Sequence, residues 1–190
     1  MVLLEVEQKF SFNPLLRNVF RLNKGSPAFL SLASRGTQRF SDAYFDRGNI
    51  FSNNGIWIRK REGAWELKRR VAGSFTRTAF EEINDYSRIQ KIVGQFLPDT
   101  LEKKGDNLGL DVICQFTTTR ESFLADDKFS VMLDSTDFGH AVGEIELAHE
   151  NAQEAHRDID VFMKKYAWFF DNSRPKGKLT AYFEKFGDPV

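Results

Sequence analysis

The 190 residues suffice for one compact domain with a sizeable core, and the hydrophobic and charged fractions, 41% and 28%, are those of a water-soluble globular chain. Lys+Arg and Asp+Glu both total 27, so net charge points neither to nucleic acid nor to a membrane surface. With no membrane-length apolar run, no secretory pattern and one cysteine, Cys114, no disulfide framework is available; a reducing cytoplasm is expected, and a monomer.

In chain order, residues 2–10 alternate as a strand. Asn13-Pro14 then forms a helix start ahead of Leu15, Leu16, Val19 and Phe20. Strands follow at about 40–46, 55–62, 64–72 and 75–83. Residues 86–97 put Ile89, Ile92, Val93 and Phe96 at helical spacing, and 98–109, rich in Asp, Lys and Gly, reads as a loop. Three more strands fall at 111–122, 127–134 and 141–148. Helices are predicted over 150–170, with an apolar stripe from Ala152 to Tyr166, and over 176–186. Neither a repeat nor a linker interrupts the pattern, so residues 1–190 are read as one domain. The nineteen Phe residues scatter along the chain and are expected to fill its core.

Successive strand residues face opposite sides, which sorts the charges. Glu5, Glu7 and Lys9 share one face, Trp57, Arg59 and Arg61 another, and Glu66, Lys68 and Arg70 a third. Asp134 opposes Val131 and Leu133, and Glu144 with Glu146 opposes Ile145 and Leu147. Alternation alone also fits a sheet with one solvated face. The segregation of sign favours a site instead: the first and last strands supply Glu-x-Glu pairs, while those between supply mostly Arg and Lys. Carboxylates at i and i+2 offer hard oxygen ligands to Mg²⁺ or Mn²⁺, and a ladder of Arg and Lys matches a chain of phosphates. Closing the sheet into a barrel would turn this charged face into a lumen.

Six ordered blocks carry a family resemblance: Glu5-Val6-Glu7-Gln8-Lys9-Phe10, Tyr44-Phe45-Asp46, Trp57 to Arg61, Trp65 to Lys68, Asp137 to Glu146, and Pro175 to Leu179, with Arg120 between. The chain resembles the CYTH superfamily of triphosphate tunnel enzymes, and the Asp-Phe-Gly block is similar to its thiamine-triphosphatase branch. The resemblance implies a mainly β, α+β fold: an eight-stranded antiparallel barrel, closed or nearly so, with helices packed outside. It implies metal-dependent hydrolysis of thiamine triphosphate to the diphosphate and phosphate.

Lys9, Arg59, Arg61, Lys68, Arg120 and Lys178 would bind the triphosphate. Glu5, Glu7, Glu144 and Glu146 would ligate Mg²⁺ or Mn²⁺, with Asp134 a further acid and Glu82 a further acid of the tunnel. Lys9, Arg59, Arg61, Glu144 and Glu146 would act on the reacting phosphate. One departure stands out, because the family pattern implies an acid at position 132 and this chain has Met132. Trp57 shares parity with Arg59 and Arg61, so its indole either stacks on the cationic thiazolium or packs the barrel end. Lys176-Gly177-Lys178 resembles a P-loop end without its first glycine, and His140, His149 and His156 lack metal-ligand spacing. A broader inorganic or nucleoside triphosphatase, or a module that binds polyphosphate without turnover, are the alternatives.

Overall fold

A computed structural model describes residues 3–74, 76–97, 106–170 and 175–187. Eight strands form in the predicted places: β1 (Leu4–Phe10), β2 (Leu32–Asp46), β3 (Ile56–Arg61), β4 (Ala64–Gly73), β5 (Arg77–Ile83), β6 (Asp111–Ala125), β7 (Phe129–Thr136) and β8 (Ala141–His149). They pair antiparallel in the ring order β1-β5-β4-β3-β2-β6-β7-β8, and pairing of β1 with β8 closes the barrel. Closure separates an inner from an outer face along the strands.

Much of the outer face is apolar and is covered by helices. Helix α4 (Ala152–Lys165) turns Ala155, Ile159 and Phe162 onto Val6, Phe10, Val131, Leu133, Ile145 and Leu147. Here many of the phenylalanines meet: Phe10 packs edge-on to Phe169 and Phe170, and Phe129 stacks on Phe162. Helix α3 (Tyr86–Phe96) places Ile89, Ile92 and Val93 against Ile58, Leu67 and Ile83. Beyond α3, residues 98–105 of the predicted loop lie outside the described residues. The last helix, α5 (Lys178–Phe186), lies instead against inner-face residues: Leu179, Tyr182 and Phe183 pack near Tyr44, Cys114 and Phe116. Cys114 is buried there as a small apolar side chain.

Several boundaries differ from the sequence reading. β2 begins eight residues before position 40, because Leu32–Arg39 is held by backbone pairing to the end of β6 rather than by burial. The pairing register slips between Ser34 and Gly36, where Gly36 has φ +94, a conformation glycine adopts without steric cost. The helix predicted to reach 170 stops at Lys165; Phe169 and Phe170 fold back into the aromatic cluster around Phe10.

The helical start at Asn13-Pro14 forms a 3₁₀ turn, Pro14–Leu16, capped by the Asn13 side chain and running into α1 (Arg17–Arg21). The short helix α2 (Ile50–Asn53) was not predicted. The buried Asp46 carboxylate fixes it by accepting from the backbone N–H groups of Arg47, Phe51 and Ser52. No helix among the described residues is long and apolar enough to cross a membrane.

Candidate active site: a charged lumen

The inner face encloses a cavity of about 340 Å³ lined by Glu5, Glu7, Lys9, Tyr44, Trp57, Arg59, Arg61, Glu66, Lys68, Arg70, Phe80, Glu82, Arg120, Glu144, Glu146 and Lys178, with a few smaller residues. Strand register explains the gathering. Across the closing β1–β8 seam Glu7 lies opposite Glu146, and Lys9 opposite Glu144. Across β4–β5 Lys68 faces Glu82, across β3–β4 Arg59 faces Glu66, and across β6–β7 Arg120 faces Asp134. Two Glu-x-Glu pairs more than 130 positions apart in sequence thus become lateral neighbours.

The lumen sorts into two zones. In the first, Glu5, Glu7 and Glu146 each bring a carboxylate oxygen within 4.8 Å of the others. Burial pushes the Glu5 carboxyl up to about 8; Glu146 and Glu82 add to the shift and the Lys68 ammonium opposes it. Burial likewise pushes Glu146 up to about 7, with Lys68 opposing and Glu144 and Glu7 adding. Carboxylates crowded in a low-dielectric site favour a proton or a cation between them. Three oxygen donors of this kind suit a hard divalent ion such as Mg²⁺ or Mn²⁺ better than a soft one.

In the second zone cations dominate. Arg120 donates from Nε and Nη2 to the two oxygens of Asp134, at 2.7 Å each, and from Nη2 to Glu144 at 2.9 Å. Lys178, the first residue of α5, bonds Asp134, with Glu144 3.7 Å away. Lys9 bonds Glu7 and lies 3.9 Å from Glu144. Burial alone would raise Glu144, yet Lys178, Lys9 and Arg120 together outweigh it and hold that carboxylate well below its ordinary range.

Farther round the barrel Arg61 forks onto Asp42 at 2.8 and 2.9 Å. Arg59 donates to Glu66 at 2.7 Å and to the Tyr44 hydroxyl at 3.3 Å. Lys68 joins the zones, 2.5 Å from Glu5 and 3.1 Å from Glu82; burial disfavours its charge, but Glu5 and Glu7 keep its pKa above the usual value. Seven basic side chains, Arg70 included, line the one cavity and can bind a polyanion, and the adjoining carboxylates can hold a divalent ion against it.

The CYTH domain family matches residues 4–167. The chain belongs to the CYTH family. It is 30% identical to human thiamine-triphosphatase in an alignment of 171 positions that covers 80% of this chain and 71% of that protein. The CYTH fold recurs in the PH1819 protein of Pyrococcus horikoshii OT3, with TM-score 0.64 and 18% identity over 95% of this chain and 99% of that one. A Hippeastrum protein with a dominant triphosphatase activity superposes with TM-score 0.56 at 14% identity, over 100% of this chain and 98% of its own. CYTH membership and the human relative support a triphosphatase-type hydrolase activity. Triphosphate tunnel enzymes of the CYTH family are metal-dependent, and the carboxylate group of Glu5, Glu7 and Glu146 fits that requirement.

Within this CYTH barrel Lys9, Trp57, Arg59, Arg61, Lys68, Arg120 and Lys178 all line the cavity, as do Glu5, Glu7, Glu82, Glu144 and Glu146. Two residues expected among the metal ligands sit differently. Asp134 is fully buried with both oxygens taken by Arg120 and one shared with Lys178, and Glu144 is surrounded by Lys9, Arg120 and Lys178. Both lie outside the group of Glu5, Glu7 and Glu146. Met132, where an acid was expected, is buried between Ser122 and Glu144 in the register of β6, β7 and β8.

Asp42 and Tyr44 were overlooked as site residues. They follow Phe40 on the inner face of β2, and the alternation Phe40, Asp42, Tyr44 carried the signal. Trp57 sits edge-on to Phe80 at 5.5 Å, and the Arg70 guanidinium stands 5.6 Å from its ring.

Proposed function

We propose that the chain hydrolyses thiamine triphosphate to thiamine diphosphate and phosphate, with Mg²⁺ or Mn²⁺ bound by Glu5, Glu7 and Glu146. The observation that carries the reading is the junction of two zones in one cavity: a carboxylate group beside a ladder of Lys and Arg side chains. A bound divalent ion would supply charge neutralisation at the phosphate oxygens and acidify a water. Lys9, Arg59, Arg61, Lys68, Arg120 and Lys178 hold the three phosphates in line. They also stabilise charge as water adds to the terminal phosphorus and the bond to the bridging oxygen breaks. Asp134 and Glu144 fix Arg120 and Lys178 rather than the metal, so the site needs no carboxylate at position 132.

Trp57, on the cavity wall beside Phe80, offers its indole to the thiazolium ring. A cation over a Trp face contributes about 1–2 kcal/mol once desolvated. Arg70 has to move off that face for the ring to stack. The human relative, a thiamine-triphosphatase, favours the same substrate. Phosphate release from thiamine triphosphate, tripolyphosphate and ATP, each with Mg²⁺, tests the assignment. Thiamine triphosphate should be preferred, and Trp57→Ala should reduce that preference by about ten-fold while sparing tripolyphosphate. Equal loss on both substrates counts against stacking, and a preference for tripolyphosphate or ATP favours a broader triphosphatase.

A further inference from the structure

Phe40 is an apolar ring on the inner face of β2, 7% exposed and on the same face as Asp42 and Tyr44. It does not line the cavity. Two guanidinium groups that do line it rest against this ring: the central carbon of Arg61 lies 4.0 Å from the ring centre and that of Arg120 lies 5.6 Å away. Both distances fall within the range over which a cation is drawn to the negative face of an aromatic ring.

What else restrains these arginines gives the contact its meaning. Nε and Nη2 of Arg61 are bonded to Asp42, and Nε and Nη2 of Arg120 to Asp134. Phosphate oxygens need those same N–H groups, so each carboxylate competes with an arriving polyanion. The ring holds the guanidinium through its π cloud and uses none of its donors. A contact of this kind persists while the donors change partners from carboxylate to phosphate. Leucine or methionine in its place would keep the space filled but leave each guanidinium plane free to rotate about its long side chain.

We propose that Phe40 is a positioning residue for polyphosphate binding: its ring clamps Arg61 and Arg120 together so that their donors stay aimed into the cavity. The proposal rests on the reading of that cavity as a triphosphate site. Its test is calorimetric binding of inorganic tripolyphosphate without metal, alongside thermal unfolding. Phe40→Leu should weaken binding by about ten-fold, the combined effect of two cation–π contacts. Phe40→Tyr, which keeps the ring, should bind within about two-fold of the parent protein, since a phenol presents a similar π face.

A 3,4,5-trifluorophenylalanine at position 40 preserves the shape while stripping the ring of its negative face. It should weaken binding without a matching fall in melting temperature, and this arm decides the matter if the leucine variant fails to fold. Parent-like binding by the trifluoro variant overturns the proposal, as does weakening that Tyr shares with Leu. If the parent protein itself binds no tripolyphosphate, the triphosphate reading fails, and the role of Phe40 falls with it.

Discussion

Replacing Asp134 by Asn removes one negative charge from a fully buried position on the inner face of the barrel and leaves the shape almost unchanged. Asp134 has no exposed surface and receives both Arg120 and Lys178. After the change Glu144 is the remaining carboxylate near both cations, 2.9 Å from Arg120 and 3.7 Å from Lys178, and Lys9 approaches it as well, at 3.9 Å. Breaking a buried ion pair by removing one partner costs about 3–5 kcal/mol, because the stranded charge stays desolvated. The amide oxygen still accepts one hydrogen bond, which places Asn near the lower end.

For a chain of this length each kcal/mol lowers the melting temperature by about 2–4 °C, so a fall of roughly 6–12 °C is expected. The same change should improve metal-free binding of tripolyphosphate, since the anion no longer competes with Asp134 for Arg120 and Lys178. Ligand at about 100 times Kd stabilises by about 2.7 kcal/mol, so at a fixed ligand concentration the variant should gain more degrees than the parent. Thermal unfolding with and without tripolyphosphate measures both quantities. A variant that melts within a degree of the parent, or gains less from the ligand, refutes the assignment of Asp134 to the cations.

The raised carboxyls set a pH dependence. Glu5 and Glu146, at about 8 and about 7, keep protons in the folded protein that the unfolded chain releases near 4.5. Metal-free stability from these two groups is therefore present at acid pH and declines as pH rises through that window. A divalent ion competes with those protons, so Mg²⁺ affinity should climb between pH 6 and 8; a flat calorimetric profile speaks against ligation by this pair. Glu146→Gln should raise the metal-free melting temperature at pH 8 and abolish stabilisation by Mg²⁺, whereas retained stabilisation excludes Glu146 as a ligand. Gly143→Ala would set a Cβ 2.2 Å from the tip of the fully buried Phe10 ring, and overpacking of this kind costs about 1–3 kcal/mol. An alanine variant that melts like the parent would mean that the aromatic cluster yields.

Strand existence and inner-face membership were legible in the sequence because both follow from a period of two. Glu5, Glu7, Lys9, Trp57, Arg59, Lys68 and Glu144 were each sorted by parity to the face they occupy. Parity does not rank neighbours across strands, however. Glu144 and Glu146 share a face, yet the β1–β8 register sets Glu146 beside Glu7 and Glu144 beside Lys9, so one joins the carboxylate group and the other the cations. Asp134 meets Lys178 because the last helix brings its first side chain to the lumen, a tertiary contact with no local signal. The outer half of β2 lacked apolar alternation, and α2 depends on the hydrogen bonds of one aspartate.

The central claim is that a divalent ion and a triphosphate meet in this barrel and that hydrolysis needs both. Phosphate release from thiamine triphosphate at pH 8 tests it most directly, measured with excess Mg²⁺, after EDTA, and after Mg²⁺ is restored. Turnover that stops with EDTA and returns with Mg²⁺ is the expected result. Release at the same rate without metal, or none in its presence, would contradict the account.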